Sequence, residues 1–220
     1  MSILPKKNEL GFFEIRLESI GGLGANLAGK MLAEAGVLSL GLKGSNFSSY
    51  GSEKKGSPVK SFIRFCEPDV EIRDHSPIEQ PHIVGVFHEA LYRTVNVVSG
   101  LNADGIVLVN TAREFDEVKN DLQLQYGTLA IIDALSIAVE EKTKVNTAML
   151  GALYRICDFL DLESMRDVIR KTFTKKYPHL VEPNIRTFDR GYNEVQFKTY
   201  EVPAGAEGKA FTRPLPMLGY

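Results

Sequence analysis

A glycine-rich turn is the feature of this sequence whose residue types point most directly to chemistry. It reads Ser19-Ile20-Gly21-Gly22-Leu23-Gly24 and lies between a predicted strand and a predicted helix. The first N–H groups of a helix have no acceptor within the helix, and the helix dipole makes this end partly positive. The turn therefore favours a bound anion such as a phosphate. The alternative is that the glycines only form a tight turn and let the helix pack closely.

The turn does not fully match either of two nucleotide-binding patterns. In the dinucleotide pattern G-x-G-x-x-G, Ser19 takes the first glycine position, and Lys43 and Gly44 stand where an acidic residue should follow the second strand. In the triphosphate pattern G-x-x-x-x-G-K-[ST], Met31 follows Lys30 in place of the hydroxyl residue that binds Mg²⁺. A free-standing Rossmann-type oxidoreductase that uses a nicotinamide or flavin nucleotide is kept as an alternative.

A second candidate for anion binding is the segment of residues 50–58, where Glu53, Lys54 and Lys55 stand among glycines. A lysine ammonium in such a loop can act as a point charge beside a phosphate. The alternative is an ordinary loop whose charges face water.

Alternating strands and helices must position these segments. Strands are predicted at residues 13–18, 37–42, 59–65, 83–87, 106–110 and 128–132, with a loop at 44–58. Helices are predicted from the glycine turn to Gly36, through residues 92–98, and at 149–160, 162–173 and 183–191.

This order predicts a single α/β domain. We expect a mostly parallel, Rossmann-like sheet with helices on both faces and a helical C-terminal third. Residues 1–199 are assigned to this domain and residues 200–220 to a C-terminal tail or arm. The apolar residues of the tail favour an arm that lies on a neighbouring subunit.

The first strand has an unusual pattern, because apolar and charged residues alternate in residues 13–18. A strand covered on both faces of a parallel sheet normally reads as one apolar run. We therefore expect this strand near an edge of the sheet, or covered on its second face by another subunit.

Composition narrows the function classes. The 220 residues carry a net charge of −2 with a pI near 6.1, which argues against a dedicated nucleic-acid binder. We expect no membrane-spanning helix, since no run of 18 apolar residues occurs. The N-terminus lacks an apolar signal core, and the two cysteines, Cys66 and Cys157, fit a reducing compartment. The expected location is the cytoplasm.

Six segments in register carry a resemblance to a known family. They are the glycine turn, the tyrosine- and glycine-containing loop and strand at 50–65, the strand ending in Asn110 and Thr111, and the segments at 131–138, 146–152 and 184–192. In this order they resemble the gamma subunit, or gamma domain, of the 2-oxoacid:acceptor oxidoreductases, the family that includes pyruvate:ferredoxin oxidoreductase.

The resemblance implies a subunit that is not catalytic alone. It implies partners of the alpha, beta and delta types and, through the complex, ferredoxin or another electron acceptor. The implied reaction is oxidative decarboxylation of a 2-oxoacid, such as pyruvate or an aryl 2-oxoacid, to an acyl-CoA and CO₂. Coenzyme A would be bound partly by this chain, with thiamine diphosphate and iron–sulfur clusters on the partner subunits.

The resemblance also implies the residues that bind the coenzyme. They are Gly21, Gly22, Leu23, Gly24, Glu53, Lys54, Asn110 and Thr111. Ser19 and Ser57 replace glycines of the family pattern. The phosphates of coenzyme A suit a helix N-terminus and a lysine, at the carboxyl ends of parallel strands.

The other polar residues suggest structural roles. His88 follows a strand and is interpreted as a cap or a subunit contact rather than a general acid or base, and Asp133 and Asp161 are interpreted as helix caps. No catalytic residue and no metal site are predicted, because the histidines show no ligand spacing. A non-catalytic scaffold with an empty glycine turn stays open as a third alternative.

Overall fold

A computed structural model describes residues 2–50, 57–73 and 75–205, and within them the chain forms one seven-stranded sheet. Its strand order is β2-β3-β1-β4-β5-β6-β7. The strands are β1 Phe13–Ile20, β2 Lys43–Tyr50, β3 Pro58–Cys66, β4 Ile83–Val86, β5 Ile106–Asn110, β6 Gly127–Ile132 and β7 Gln196–Tyr200.

Helices connect the strands and make up most of the C-terminal third. They are α1 Ala25–Leu40, α2 Leu91–Thr94, α3 Phe115–Leu122, α4 Ala134–Glu140, α5 Val145–Ile156, α6 Leu162–Thr174 and α7 Val181–Glu194, with a 3₁₀ turn at Pro178–Leu180. None of the helices in the described ranges is long and apolar enough to cross a membrane.

The centre of the sheet is parallel and its flanks are antiparallel. Strands β1, β4, β5 and β6 pair in parallel, whereas β3, β2 and β7 join the sheet antiparallel. The predicted α/β domain is confirmed, with one strand, β7, that the sequence patterns did not indicate. Because β7 includes Tyr200, it also crosses the predicted boundary at residue 199.

Two apolar clusters cover the two faces of the sheet. On one face, Ile15, Leu17 and Ile63 pack with α1, α5, α6 and α7. On the other, Val84, Val107 and their neighbours pack with α2, α3 and the loop before β5. The helices α5 and α7 cross at close range through Gly151 and Gly191, where no Cβ separates the two backbones.

The prediction that the first strand lies near an edge is wrong, because β1 lies between β3 and β4. Its three charged residues, Glu14, Arg16 and Glu18, are at most 5% exposed. They are buried because they are paired: Arg64 Nε lies 2.6 Å from Glu14 Oε1, and Arg16 Nε lies 2.9 Å from Glu18 Oε1. Charges can be buried when a partner of opposite sign compensates for the lost water.

The same chain, and not a second subunit, covers this charged face of β1. The Arg16 guanidinium donates hydrogen bonds to the carbonyl oxygens of Ile78, Val97 and Ser99, at 3.2, 2.9 and 2.8 Å. A single arginine thereby fixes two loops against the sheet.

The predicted strand at residues 37–42 is also wrong, because α1 continues to Leu40. Gly41, with φ +64°, is the C-cap of this helix. Gly36, predicted as the helix stop, lies inside α1. A Cβ there would lie 2.5 Å from Phe65 Cε1, so this glycine serves close packing of helix on sheet. The next strand is β2, which occupies part of the predicted loop at 44–58.

Candidate functional site

The carboxyl edge of the parallel strands brings the predicted site segments together. Strand β1 ends at Ile20, directly before the glycine turn, and β5 ends at Asn110. Because β3 pairs antiparallel with β1, Pro58 lies opposite Ile20, and Tyr50 of β2 pairs with Val59. Both ends of the segment that contains Glu53 and Lys54 therefore lie at this edge, although residues 51–56 themselves are outside the described residues.

Two residues of the glycine turn have backbone conformations that favour glycine. Gly22 and Gly24 have φ of +102° and +82°, a region that non-glycine residues rarely adopt. The first bond of α1 runs from Ala28 N–H to the Gly24 carbonyl at 2.9 Å, and no side chain caps the helix. The preceding N–H groups of α1 therefore have no acceptor within the helix.

The turn is open on its outer side. A Cβ added at Gly22 would meet no atom within 4 Å, whereas one at Gly24 would lie 3.0 Å from Asn146 Cγ. Further along α1, a Cβ at Gly29 would lie 2.3 Å from Ser61 Oγ. Close packing thus accounts for Gly24 and Gly29, but it does not account for Gly22.

Asn26, in the first turn of α1, connects the helix to strand β2. Its amide nitrogen donates to the Tyr50 hydroxyl, and its amide oxygen accepts from the Ser48 hydroxyl. On the other side, the Gly21 N–H donates to the Ser57 carbonyl at 3.1 Å. The residues that flank the lysine segment are therefore tied to the glycine turn.

Asn110 links three elements at the same edge. Its Nδ2 donates to the Phe87 carbonyl after β4, and its Oδ1 accepts from the Ala134 N–H at the start of α4, both at 3.0 Å. One amide group thus holds the ends of β4 and β5 and the first turn of α4 in place. The amide is already engaged in these bonds, which is a structural role beside the predicted contact with coenzyme.

Thr111 is likewise engaged, and only 5% of it is exposed. Its hydroxyl donates to Glu89 Oε2 at 3.3 Å and accepts from the Arg113 N–H at 3.1 Å. The Tyr92 hydroxyl donates to the same Glu89 oxygen at 3.0 Å, and burial together with this carboxylate raises the pKa of Tyr92 to about 12. Tyr92 therefore keeps its proton, and its hydrogen bond to Glu89, together with that of Thr111, stabilises this edge of the sheet.

The predicted caps are confirmed. Asp133 accepts from the Ser136 N–H at the start of α4, and Asp161 accepts from the Ser164 N–H at the start of α6. His88 Nδ1 accepts from the Ala90 N–H at 3.1 Å. In the described part of the chain, no group of three or more His, Cys, Asp or Glu side chains is placed to bind a metal ion.

A groove beside the glycine turn was not predicted from the sequence. It has a volume of about 350 Å³ and lies between Gly22 and Leu23 on one side and α4 with the α4–α5 connection on the other. Leu135 and Val139, four residues apart on α4, are 59% and 68% exposed. The sequence signal for it is that Leu135 and Val139, four residues apart, place apolar side chains on a side of α4 other than its buried side.

A larger cavity of about 800 Å³ lies at the opposite edge, where the parallel strands begin. Glu14, Arg64 and His82 line it together with residues of both charge signs from the N-terminal segment. His82 Nδ1 accepts from the Glu14 N–H at 3.0 Å, and burial is the main cause that lowers the pKa of this imidazole. The predicted site residues lie at the other edge.

Comparisons with known proteins agree with this geometry. Residues 14–194 match the family model described as pyruvate ferredoxin/flavodoxin oxidoreductase. The chain is 38% identical over 188 residues to "Pyruvate synthase subunit PorC" of Thermotoga maritima, with 84% of this chain and 95% of the relative covered. It is 35% identical over 185 residues to the Pyrococcus abyssi "Pyruvate/ketoisovalerate oxidoreductases common subunit gamma", with 83% and 97% covered.

Solved structures show the same fold. The crystal structure of pyruvate oxidoreductase subunit PORC from Thermotoga maritima has a TM-score of 0.75 at 36% identity and covers 86% of this chain and 99% of that one. A 2-oxoglutarate:ferredoxin oxidoreductase from Magnetococcus marinus, with 2-oxoglutarate, coenzyme A and succinyl-CoA bound, has a TM-score of 0.65 at 20% identity. It covers 83% of this chain, and the match takes up 31% of its own longer chain.

Proposed function

Because the chain belongs to the pyruvate ferredoxin/flavodoxin oxidoreductase family, we propose that it is the gamma subunit of a complex that oxidatively decarboxylates a 2-oxoacid. The main support for this proposal is that the family match spans residues 14–194, which contain the whole sheet except β7 and the first residue of β1. The products are an acyl-CoA, CO₂ and two electrons for ferredoxin or another acceptor. Pyruvate or an aryl 2-oxoacid is the proposed substrate.

In this proposal the redox chemistry takes place on partner subunits of the alpha, beta and delta types, which hold thiamine diphosphate and the iron–sulfur clusters. Clusters are bound by thiolates. Cys66 and Cys157 are both buried, and burial raises the pKa of both thiols. Neither thiol is therefore suited to ligate a cluster. The free cysteines also accord with a cytoplasmic location.

The proposed contribution of this chain is to bind coenzyme A at the carboxyl edge of the sheet. Support comes from the open side of Gly22 and from the N–H groups at the start of α1. The diphosphate and the 3′-phosphate of the coenzyme are the kind of anions that such amides and a lysine bind. Gly21, Gly22, Leu23 and Gly24 would approach the phosphates, with Lys54 and Glu53 in the adjoining segment.

Asn110 and Thr111 have a different part in the proposed site. Their side chains are engaged within the fold, so they position the edge that the coenzyme approaches. In this assignment the chain provides no nucleophile, and it orients the coenzyme so that its thiol meets the acyl group on the partner subunits. The resemblance and the geometry of the turn both support this proposed role in binding and assembly.

The test compares Lys54→Ala with its neighbour Lys55→Ala in the assembled complex. A charge-assisted contact to a phosphate is worth about 1.5–3 kcal/mol, so we expect Lys54→Ala to raise the KM for coenzyme A by about tenfold or more. The KM for the 2-oxoacid should stay within about twofold of the wild-type value, since this substrate reacts on other subunits.

The control, Lys55→Ala, should leave both KM values unchanged. An unchanged KM for coenzyme A in Lys54→Ala would remove Lys54 from the site. Turnover of any metabolite by the purified chain alone would contradict the assignment as a subunit and favour a free-standing oxidoreductase.

A further inference from the structure

Strand β2 forms one edge of the sheet, and in the described part of the chain it pairs only with β3. An open edge presents a row of backbone N–H and C=O groups to other chains, and proteins usually protect it with charges, proline or a short strand. The opposite edge strand, β7, is five residues long and has Lys198 at its centre. Strand β2 has eight residues, no proline and a single charge, Lys43, at its first position.

The hydrogen-bond pattern of the sheet shows which residues of β2 point outward. The Gly21 N–H donates to the Ser57 carbonyl, and these two residues continue the antiparallel register of β1 and β3. Bonded and non-bonded positions alternate along such a pair, so the odd residues of β3 bond to β1 and its even residues to β2. Since Phe62 of β3 pairs with Phe47, the odd residues of β2 bond to β3. The residues whose backbone groups point outward are Gly44, Asn46, Ser48 and Tyr50.

One register pairs all four outward residues with a second copy of the same strand. Within residues 2–50, 57–73 and 75–205, these four make no backbone hydrogen bond on their outer side. If two β2 strands lie antiparallel with Phe47 opposite Phe47, Gly44 pairs with Tyr50 and Asn46 with Ser48, in both directions. Each such pair exchanges two hydrogen bonds, which gives about eight between the two copies.

The side chains of β2 favour the same register. Phe47 stacks on Phe62, with ring centroids 4.9 Å apart and an interplanar angle of 27°. Beside the two-fold axis, Phe47 would face Phe47 of the second copy at a non-bonded position, where cross-strand side chains come closest. The two copies would thus form a row of four rings. No charges would oppose each other, because Lys43 lies outside the paired residues.

The surface beside Gly44 has room for the side chain that this register brings there. A groove of about 480 Å³ is lined by Gly44 and Ser45 on one side and by Ile72 on the other. Tyr50, which lies opposite Gly44 in the second copy, is 67% exposed. An aromatic side chain opposite a glycine in an edge strand covers backbone that the glycine leaves bare.

We propose that β2 is a dimerisation edge, through which two copies of this chain join their sheets into one continuous antiparallel junction. A second copy fits this edge because the strand is complementary to itself in hydrogen-bonding groups, in charge and in its central aromatic contact. The complex would therefore contain this subunit in pairs. The proposal does not depend on coenzyme binding, so it can fail while the proposed function stands.

Disulfide formation, in the purified full chain and in the assembled complex, tests the register. Phe47→Cys places two thiols opposite each other, and the native Cys66 and Cys157 are buried. We expect mild oxidation to give a covalent dimer of twice the 24.4 kDa chain. The matched control is Ser49→Cys, on the same face and more exposed. Its two copies would lie about 13 Å apart along the strands, so it should cross-link at least about tenfold more slowly.

A second pair of variants keeps the aromatic contact intact. Ser45 lies opposite Ser49 of the second copy, so Ser45→Cys/Ser49→Cys should cross-link where Ser49→Cys alone does not. In sedimentation equilibrium we expect the wild-type chain to be a dimer and Ser48→Pro to be a monomer. Proline at residue 48 removes an outward N–H and leaves the hydrogen bonds between β2 and β3 in place.

Three outcomes would overturn the inference. The first is a monomeric wild-type chain whose Phe47→Cys variant forms no cross-link in the complex. The second is a dimer that persists in Ser48→Pro, or equal cross-linking rates for Phe47→Cys and Ser49→Cys, since the copies would then associate through another surface. The third is a cross-link from Phe47→Cys to a different subunit, which would make that subunit the occupant of the edge.

Discussion

The crossing of α5 and α7 offers the sharpest test of the packing described above. A Cβ at residue 151 would lie 2.0 Å from the Phe188 carbonyl oxygen and 2.7 Å from Tyr192 N. Both are backbone atoms, so Gly151→Ala cannot be accommodated by a rotamer change. The two helices would have to separate by about 1 Å, which loosens contacts along the whole crossing.

The magnitude follows from two opposing contributions. Overpacking of a core costs about 1–3 kcal/mol, and contact with backbone atoms places this site at the upper end. Alanine is a better helix former than glycine by about 1 kcal/mol, which offsets part of that cost. We expect Gly151→Ala to lower the free energy of unfolding by about 2 kcal/mol.

Urea unfolding followed by far-UV circular dichroism measures this effect. With a slope of about 2 kcal/mol per molar urea, the midpoint should fall by about 1 M. The control is Gly36→Ala, whose Cβ would meet the ring of Phe65, a side chain that can tilt. Its midpoint should change by less than half as much. A Gly151→Ala midpoint equal to or above that of the wild type would refute the reasoning.

Two further predictions concern buried ionisable groups. Burial lowers the pKa of His82 below the ordinary histidine value of about 6.5, so on acidification the unfolded chain takes up a proton at this residue before the folded chain does. The contribution of His82 to the free energy of unfolding should therefore be complete above about pH 6.5 and be lost as the pH falls through the folded-state pKa. His82→Gln should flatten this part of the pH profile of the urea midpoint, and an unchanged profile would contradict the assignment. Glu14→Ala removes the carboxylate 2.6 Å from Arg64 Nε and should lower the free energy of unfolding by about 3 kcal/mol in thermal unfolding. Glu14→Gln should cost less, and equal stability of Glu14→Ala and wild type would show that the pair is not needed.

Local patterns predicted the sheet well where strands are short apolar runs between turns. Strands β4, β5 and β6 lie within a residue or two of their predicted positions. The glycine turn also lies where predicted, because a strand, a turn and a helix start are specified by neighbouring residues. These elements are determined by interactions between residues that are close in the sequence, so a sequence pattern can predict them.

Other elements depend on contacts between distant residues, and local patterns misread them. The charged residues of β1 suggested a wet face, but their partners Arg64 and Lys60 come from β3, more than 40 residues away. Gly36 suggested a helix end, whereas Phe65 of β3 is the reason that no side chain fits there. Strand β7 has no buried face, so it lacks the apolar alternation that indicates a strand.

The candidate site was predictable in part for the same reason. The turn itself follows from its glycines, but the groove forms only when α4 and the α4–α5 connection fold back beside Gly22. Lys142 and Lys144 line this groove, although no sequence pattern indicates that they lie beside the turn. Likewise, the sequence could place Asn110 at a strand end but could not show that its amide is already engaged.

The two hydrogen bonds of the Asn110 amide limit which residues can replace this asparagine. At residue 110, aspartate would keep the acceptor for the Ala134 N–H but lose the donor for the Phe87 carbonyl, and leucine would lose both. We expect the position to be nearly fixed in any descendant that keeps this architecture. Substitutions should instead be tolerated in the α4–α5 connection, where Lys142 and Lys144 are exposed. An engineer who alters this edge of the sheet should begin in that connection and leave the asparagine unchanged.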